Sequence, residues 1–212
     1  MKASVYKLNY ESSCELQCTQ PLIFMDEAGC GPWAGPLVVG SVSFDSRFSK
    51  EDCTLKIDDS KKMSALQREK AYDFIVNHPY INQSIGVVQS DELDQLGLGK
   101  ALSVAFNRAY DVLSFNATSA FVDGIRDPKL NCDTYLIKGG DRLCYGISMA
   151  SVIAKVTRDR MMQDLHDLFP MYKWDQNKGY GTKYHYSALK EFGISSVHRK
   201  SYKPIREMMK SE

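Results

Sequence analysis

Short apolar runs separated by polar or glycine-rich segments predict a set of β-strands along the first two thirds of the chain. The runs cover residues 22–27, 37–44, 81–89, 120–124 and 134–137. A stretch rich in glycine and proline joins the first two, so we expect them to pair as an antiparallel hairpin.

Helical spacing of apolar residues predicts helices between and after these strands. The predicted helices cover residues 64–77, 91–113, about 144–169, 182–193 and a final segment opened by Pro204. Ser64 begins a capping-box pattern, whereas Pro170 and Gly193 are residues that end helices. An initial hairpin followed by alternating strands and helices is typical of an α/β domain with a mixed sheet. We therefore expect one domain over residues 1–212, within which about 1–20 form a polar lead-in.

The composition is that of an ordinary globular protein and excludes a function within the membrane. Hydrophobic residues make up 43% and charged residues 25% of the 212 positions. No apolar run approaches the length of a membrane span, and the polar start lacks the apolar block of a secretion signal. Six cysteines lack paired Cys-x-x-Cys spacing, which favours free thiols in a reducing compartment over a zinc site. We expect a soluble, cytoplasmic protein.

Opposite charges accumulate in the two parts of the chain, although the net charge is only +1. Residues 1–137 hold 13 Lys and Arg against 18 Asp and Glu, a net charge of −5. Residues 138–212 hold 14 against 8, a net charge of +6. An acidic part followed by a basic part is compatible with metal ions at the first and a polyanion at the second.

Carboxylates follow three of the predicted strands. Asp26 and Glu27 end the first strand, Asp123 ends a later one, and Asp141 follows the last. If these strands are neighbours, four carboxylates converge at one edge of the sheet, where their mutual repulsion requires divalent cations. Such oxygen ligands suit Mg²⁺ or Mn²⁺, and two ions roughly 4 Å apart can activate water for phosphodiester hydrolysis. A turn-forming role explains any one acid better, but not all of them together.

These acids lie within blocks that resemble the signature of type 2 ribonucleases H, the ribonuclease HII family. The first block is Asp-Glu-Ala-Gly-Cys-Gly-Pro-Trp-Ala-Gly-Pro at 26–36. The others, in the order in which the family has them, are Asp59–Lys62, Val122–Gly124, Gly140-Asp141, Ala150–Arg160, Lys178–Thr182 and His198–Tyr202. One block alone is suggestive, whereas the whole series across residues 22–206 is highly specific.

The resemblance implies an RNase H-like mixed β-sheet flanked by helices, with a C-terminal helical extension at about 170–212 that contacts the substrate. It implies cleavage of the RNA strand of RNA–DNA hybrids and incision 5′ of single ribonucleotides in duplex DNA, leaving a 3′-hydroxyl and a 5′-phosphate. Two divalent ions, Mg²⁺ or Mn²⁺, would be held by the catalytic carboxylates Asp26, Glu27, Asp123 and Asp141. The substrate-binding residues carried over by position are Gly29, Cys30, Gly31, Lys61, Lys155, Arg158 and Tyr180.

General chemistry agrees with these roles. Glycine backbone can hydrogen-bond to the 2′-hydroxyl that distinguishes a ribonucleotide, Tyr180 can pack on its sugar, and lysine or arginine can hold phosphates without reading sequence. The simpler alternatives are a loop tyrosine that rests on the core and, for Lys155 and Arg158, a solvated basic face. His185 and His198 lack the spacing of metal ligands, so we interpret them as structural.

Cys30 departs from the family pattern, which usually has arginine between the two glycines. A neutral thiol cannot replace the charged, planar fork that arginine offers to a phosphate. Members of the ribonuclease HIII group carry lysine there and an additional N-terminal domain, so the HII group is the closer match. We expect an active enzyme that binds its substrate more weakly.

Two other functions are compatible with these residues. A non-catalytic module that binds hybrids is disfavoured by the intact acids, since a pure binder gains nothing from carboxylates beside a polyanion. A resolvase-like metal nuclease on the same fold would be distinguished by its substrate. We expect a monomer, and the sequence leaves contact with a replication clamp open.

Overall fold

A mixed five-stranded sheet forms the centre of the protein in a computed structural model that describes residues 22–48, 55, 57, 60, 62–113 and 117–210. The strands are β1 (Leu22–Ala28), β2 (Leu37–Phe44), β3 (Ile81–Val88), β4 (Ser119–Asp123) and β5 (Asp133–Ile137). They lie in the order β3-β2-β1-β4-β5. The β1 strand pairs antiparallel with β2 and parallel with β4, which confirms the predicted hairpin and the mixed sheet.

Helices cover both faces of this sheet. They are α1 (Ala65–Asn77), α2 (Ser90–Leu96), α3 (Leu98–Leu113), α4 (Tyr145–Leu168), α5 (Trp174–Asn177), α6 (Lys183–Phe192) and α7 (Lys203–Met208). On one face Met25 packs with Ala105 of α3, and on the other Phe24 packs with Ile147 of α4. Because side chains alternate along a strand, Asp26 shares the α4 face with Phe24.

The predicted helix over residues 91–113 is two helices in the structure. Gly97 has a φ of 73°, a backbone conformation that side-chain-bearing residues rarely adopt, and it separates α2 from α3. Its N–H donates to the carbonyl of Leu93 at 2.8 Å, which closes the end of α2. The apolar spacing continues across this break, so periodicity alone predicted a single helix.

The C-terminal segment packs against the turn between β1 and β2. A small apolar core around Trp174 and Ile205 also takes in Trp33 of that turn. The Trp33 N–H donates to the carbonyl of Gly179 at 2.8 Å, and the Arg199 N–H donates to the carbonyl of Trp33 at 2.7 Å. The last part of the chain therefore holds the segment that directly follows the first two acids.

The predicted lead-in at about 1–20 and the side chain of Lys61 lie outside the described residues. Within the ranges that the structure does describe, no helix combines the length and the apolar character needed to cross a membrane.

Candidate active site

Three carboxylates meet where the central strands end. Asp26 lies near the end of β1, Asp123 ends β4, and Asp141 lies in a single 3₁₀ turn after β5. The parallel register of β1 and β4 brings Asp26 and Asp123 side by side. One carboxylate oxygen from each of the three residues lies within 4.8 Å of the other two.

Glu27 stands outside this group of three. Adjacent residues on a strand point to opposite faces, so the Glu27 side chain leaves β1 on the side away from Asp26. The Glu27 N–H donates to Asp26 Oδ1 at 2.7 Å, and the Cys30 thiol donates to Glu27 Oε1 at 3.8 Å. Of the four carboxylates predicted to converge, the structure therefore brings three together and leaves Glu27 as their neighbour along the chain.

The acidic group has the chemistry of a divalent-cation site. Asp26 is only 3% exposed, and burial together with the charges of Glu27 and Asp123 raises its pKa well above the ordinary value. Arg142 Nε lies 3.8 Å from Asp141 Oδ1, but this side chain is 58% exposed and screens the charge weakly. A divalent cation would offset both the cost of burying a charged carboxylate and the repulsion among the three carboxylates. Carboxylate oxygens are the donors that Mg²⁺ and Mn²⁺ prefer. The three residues fit such an ion.

Hydrogen bonds orient two of these carboxylates. Ser151 of α4 bonds to the Asp26 side chain, which partly offsets the rise in the Asp26 pKa. Ser60 Oγ lies 2.8 Å from Ser151 Oγ, and both hydroxyls are buried. The Gly140 N–H donates to Asp123 at 2.7 Å. Ser151 has no role in the sequence analysis, although its place in the family-like block Ala150–Arg160 was a signal of one.

The turn after β1 presents glycine backbone at the surface beside an aromatic ring. Gly29 has a φ of 100°, and a Cβ at this position would overlap the side chain of Arg158, so the turn requires glycine there. Gly31 is exposed, and a Cβ on it would lie 3.4 Å from Tyr180 Cε1. The Tyr180 side chain is 48% exposed. Two predicted substrate-binding residues, Gly31 and Tyr180, are thus neighbours on the surface.

Cys30, between the two glycines, turns its side chain inward. The thiol packs against the apolar cluster on the α3 side of the sheet. Burial and the neighbouring Glu27 charge raise its pKa to about 12, so the thiol stays protonated at physiological pH. It therefore offers no charge to a phosphate in this arrangement.

The basic residues predicted to lie near nucleic acid are less exposed than a solvated face would be. Lys155 Nζ lies 2.7 Å from Asp159 Oδ1, and burial lowers the pKa of this lysine. Arg158 is 1% exposed, and its guanidinium donates to three backbone carbonyls. A solvated basic face is therefore wrong for both residues, because this side of α4 lies against other parts of the chain. Arg158 does not reach the surface at which a nucleic acid would bind.

A buried pair of histidines supports the loop that carries Tyr180. His185 Nδ1 lies 3.0 Å from the Tyr180 carbonyl and donates to it. His198 Nδ1 accepts the Ser195 N–H at 3.0 Å, so its own proton is on Nε2, which lies 3.0 Å from His185 Nε2. Each ring is therefore neutral with one tautomer, and burial lowers the pKa of both, that of His198 to about 3. These contacts agree with a structural role.

A mixed sheet whose neighbouring strands carry an acidic triad defines the class of RNase H-like hydrolases. The ribonuclease HII of Archaeoglobus fulgidus, solved in complex with PCNA, is similar with a TM-score of 0.73 and 24% identity, over 86% of this chain and 95% of that chain. Bst-RNase HIII in complex with Mn²⁺ is similar with a TM-score of 0.71 and 12% identity, over 100% of this chain and 76% of that chain. Both similarities show the fold.

Sequence comparison identifies the family within this class. The profile of the ribonuclease HII family matches residues 23–205. The ribonuclease HII of Burkholderia pseudomallei strain 668 is 42% identical over 200 residues, which are 94% of this chain and 89% of that relative. The chain belongs to the ribonuclease HII family. It is therefore an RNase H-type endonuclease, a hydrolase of the kind that acts on RNA–DNA hybrids.

Proposed function

We propose that this protein cuts the RNA strand of RNA–DNA hybrids and incises duplex DNA 5′ of single embedded ribonucleotides, leaving a 3′-hydroxyl and a 5′-phosphate. The observation that carries the proposal is the triad of Asp26, Asp123 and Asp141, together with Gly31, which follows Asp26 by a few residues, and the Tyr180 ring that lies beside Gly31. The triad offers ligands for a divalent cation. Exposed backbone beside an aromatic ring offers a surface that can sense a 2′-hydroxyl.

The proposed metal ligands are Asp26, Asp123 and Asp141, with Glu27 added for a second ion. When bound, two Mg²⁺ or Mn²⁺ ions supply an activated water and stabilise the leaving 3′-oxygen. The raised pKa of Asp26 supports this role, because a buried carboxylate among other carboxylates is stable as an anion only beside a positive charge. The solved complex of Bst-RNase HIII with Mn²⁺ supports manganese as one suitable ion.

The other proposed roles belong to the chain's own polar groups. Ser151 and the Gly140 N–H orient Asp26 and Asp123 before any ligand binds. The backbone of Gly29–Gly31 hydrogen-bonds to the ribonucleotide, and Tyr180 packs on its sugar. Lys61 and Lys155, which the family resemblance names as substrate-binding residues, hold phosphates without reading sequence. Binding is therefore expected to weaken as the salt concentration rises.

Cleavage of an end-labelled DNA duplex that contains one ribonucleotide tests the proposal. In Mg²⁺ or Mn²⁺ we expect one product that ends on the 5′ side of the ribonucleotide with a 3′-hydroxyl, and no cleavage of the all-DNA duplex. Asp123→Asn is expected to bind the duplex but to cut it negligibly. Asp133→Asn, an exposed acid at the start of β5, is the matched control and is expected to cut normally.

Four results would contradict the proposal. Cleavage in EDTA, or a product with a 2′,3′-cyclic phosphate, would exclude the metal-assisted attack of water. Full activity of Asp123→Asn would remove the triad from the mechanism. Cleavage of four-way junctions in preference to hybrids would instead assign a resolvase-like activity.

We further propose that the protein acts as a monomer and contacts a replication clamp. The ribonuclease HII of Archaeoglobus fulgidus was solved in complex with PCNA, which supports a clamp as the class of partner. Light scattering of the protein alone and mixed with a sliding clamp tests both statements. A stable dimer would refute the first, and the absence of a complex would refute the second.

A further inference from the structure

Two arginines lie close together in the interior beneath the turn that follows β1. Arg158 of α4 is 1% exposed and Arg199 of the C-terminal segment is 0% exposed. Arginine keeps its charge in proteins, although burial lowers the pKa of both side chains and, with the neighbouring charge of Arg199, lowers that of Arg158 to about 10. In the part of the chain that the structure describes, neither guanidinium has a carboxylate oxygen within 4.0 Å. Buried like charges without such partners are costly, so other groups must hold them.

Backbone carbonyls of the turn take the place of carboxylates. Arg158 Nε donates to the Pro36 carbonyl at 2.9 Å, and its Nη2 donates to the Ala34 carbonyl at 3.3 Å. Arg199 Nε donates to the Gly35 carbonyl at 3.0 Å, and its Nη2 donates to Pro36 at 3.0 Å. Two arginines from distant parts of the chain thus bind neighbouring peptide groups of one turn and share the Pro36 carbonyl.

The network extends to both segments that are proposed to contact the ribonucleotide. Arg199 Nη1 donates to the Cys30 carbonyl at 3.4 Å and to the Tyr202 hydroxyl at 2.9 Å. The Tyr202 hydroxyl in turn donates to the Cys30 carbonyl at 2.5 Å. Arg158 Nη1 donates to the Lys178 carbonyl at 3.1 Å, in the loop that carries the exposed tyrosine.

These contacts set the direction of the peptide group between Cys30 and Gly31. The C=O and N–H groups of a trans peptide point in opposite directions. Since the Cys30 carbonyl points inward to Arg199 and Tyr202, the Gly31 N–H points outward, at a residue that is exposed. An outward N–H above two buried positive charges is suited to an anionic or hydroxyl oxygen.

We propose that Arg158 and Arg199 are positioning residues for substrate recognition, which hold the peptide groups of residues 29–36 in the orientation that binds the ribonucleotide. They act through the backbone and do not touch the nucleic acid. The inference rests on the proposed function, because it takes the Gly29–Gly31 backbone as the ribonucleotide contact. It also assigns a role to Arg199, for which the sequence analysis had none.

Lysine substitutions separate the charge of these residues from their geometry. Arg158→Lys and Arg199→Lys keep a positive charge but lose the planar fork that spans several carbonyls. We expect each to raise KM for a duplex with one embedded ribonucleotide by about tenfold, with kcat changed by less than about threefold, because the acidic triad is untouched. Arg160→Lys, on the same helix with an exposed side chain paired to Glu69, is the matched control and is expected to change neither constant.

Thermal unfolding of each variant distinguishes positioning from stability alone. Lysine variants that melt earlier but keep an unchanged KM would refute the inference. If a lysine variant does not fold, Tyr202→Phe carries the test, since it removes only the hydroxyl that links Arg199 to the Cys30 carbonyl, and KM is expected to rise by about threefold. Failure of the unsubstituted protein to incise the duplex would refute the proposed function itself, which is a different result from unchanged KM values in active variants.

Discussion

Replacing Asp123 with asparagine is expected to stabilise the metal-free protein while it abolishes cleavage. Asparagine has nearly the same shape, and its Oδ1 can still accept the Gly140 N–H that Asp123 accepts at 2.7 Å. The substitution therefore removes one of three negative charges within 4.8 Å and leaves the hydrogen bond in place. Loss of repulsion raises the free energy of unfolding, whereas loss of a metal ligand removes the proposed chemistry.

The size of the gain follows from the separation of the charges. Two unit charges 4.8 Å apart repel by about 0.9 kcal/mol at the dielectric constant of water and by about 3.5 kcal/mol at an effective value of about 20. Asp123 is only partly buried, so solvent screens the repulsion, which favours the lower end of this range. We expect Asp123→Asn to increase the free energy of unfolding in EDTA by about 1 kcal/mol.

Urea unfolding in EDTA and in Mn²⁺ measures both parts of this prediction. An ion at about 100 times its Kd adds about 2.7 kcal/mol to the stability of the protein that binds it. The unsubstituted protein should therefore become the more stable of the two when metal is added. Asp133→Asn, outside the triad, is expected to respond to metal as the unsubstituted protein does.

Two outcomes would refute the reasoning about the triad. One is a lower free energy of unfolding for Asp123→Asn than for the unsubstituted protein in EDTA. The other is equal stabilisation of both proteins by Mn²⁺, which would mean that Asp123 does not hold the ion.

Three further changes test other parts of the site. Cys30→Arg is expected to lower KM on an embedded ribonucleotide by about fivefold, equivalent to a phosphate contact of about 1 kcal/mol. An unchanged KM would show that the neutral thiol does not weaken substrate binding. Tyr180→Ala is expected to reduce kcat/KM on the same duplex by about a hundredfold with little change in Tm, since the ring is 48% exposed, and equal kcat/KM would exclude the sugar contact. Lowering the pH from about 7 to about 5 is expected to reduce the free energy of unfolding by about 2 kcal/mol. In the unfolded chain His198 takes up a proton below its ordinary pKa of 6.5, whereas in the folded protein its pKa is about 3. This stability is complete above the ordinary pKa and is lost as the pH falls, so His198→Gln should lack this part of the pH slope in urea unfolding and Ser195→Ala should retain it.

Local sequence signals determined most of the secondary structure. Ser64 and Gln67 form the predicted capping box, and Thr182 caps α6 with its side chain before Gly193 ends that helix. Each signal involves residues a few positions apart, so it can be recognised in the sequence without knowledge of the fold. Gly97 is the exception, because a break in the backbone does not alter the apolar spacing on either side of it.

The sequence by itself also determined the family and the acids that follow the strands, since these are matters of residue type and order. Only the tertiary structure decided which acids meet: the strand register joins Asp26 to Asp123, while the alternation of side chains separates Glu27 from them. Tertiary structure likewise decided that Arg158 is buried and that Arg199 supports a turn 163 positions earlier in the chain. Such contacts depend on how distant segments pack, and no local pattern encodes the partner of a buried guanidinium.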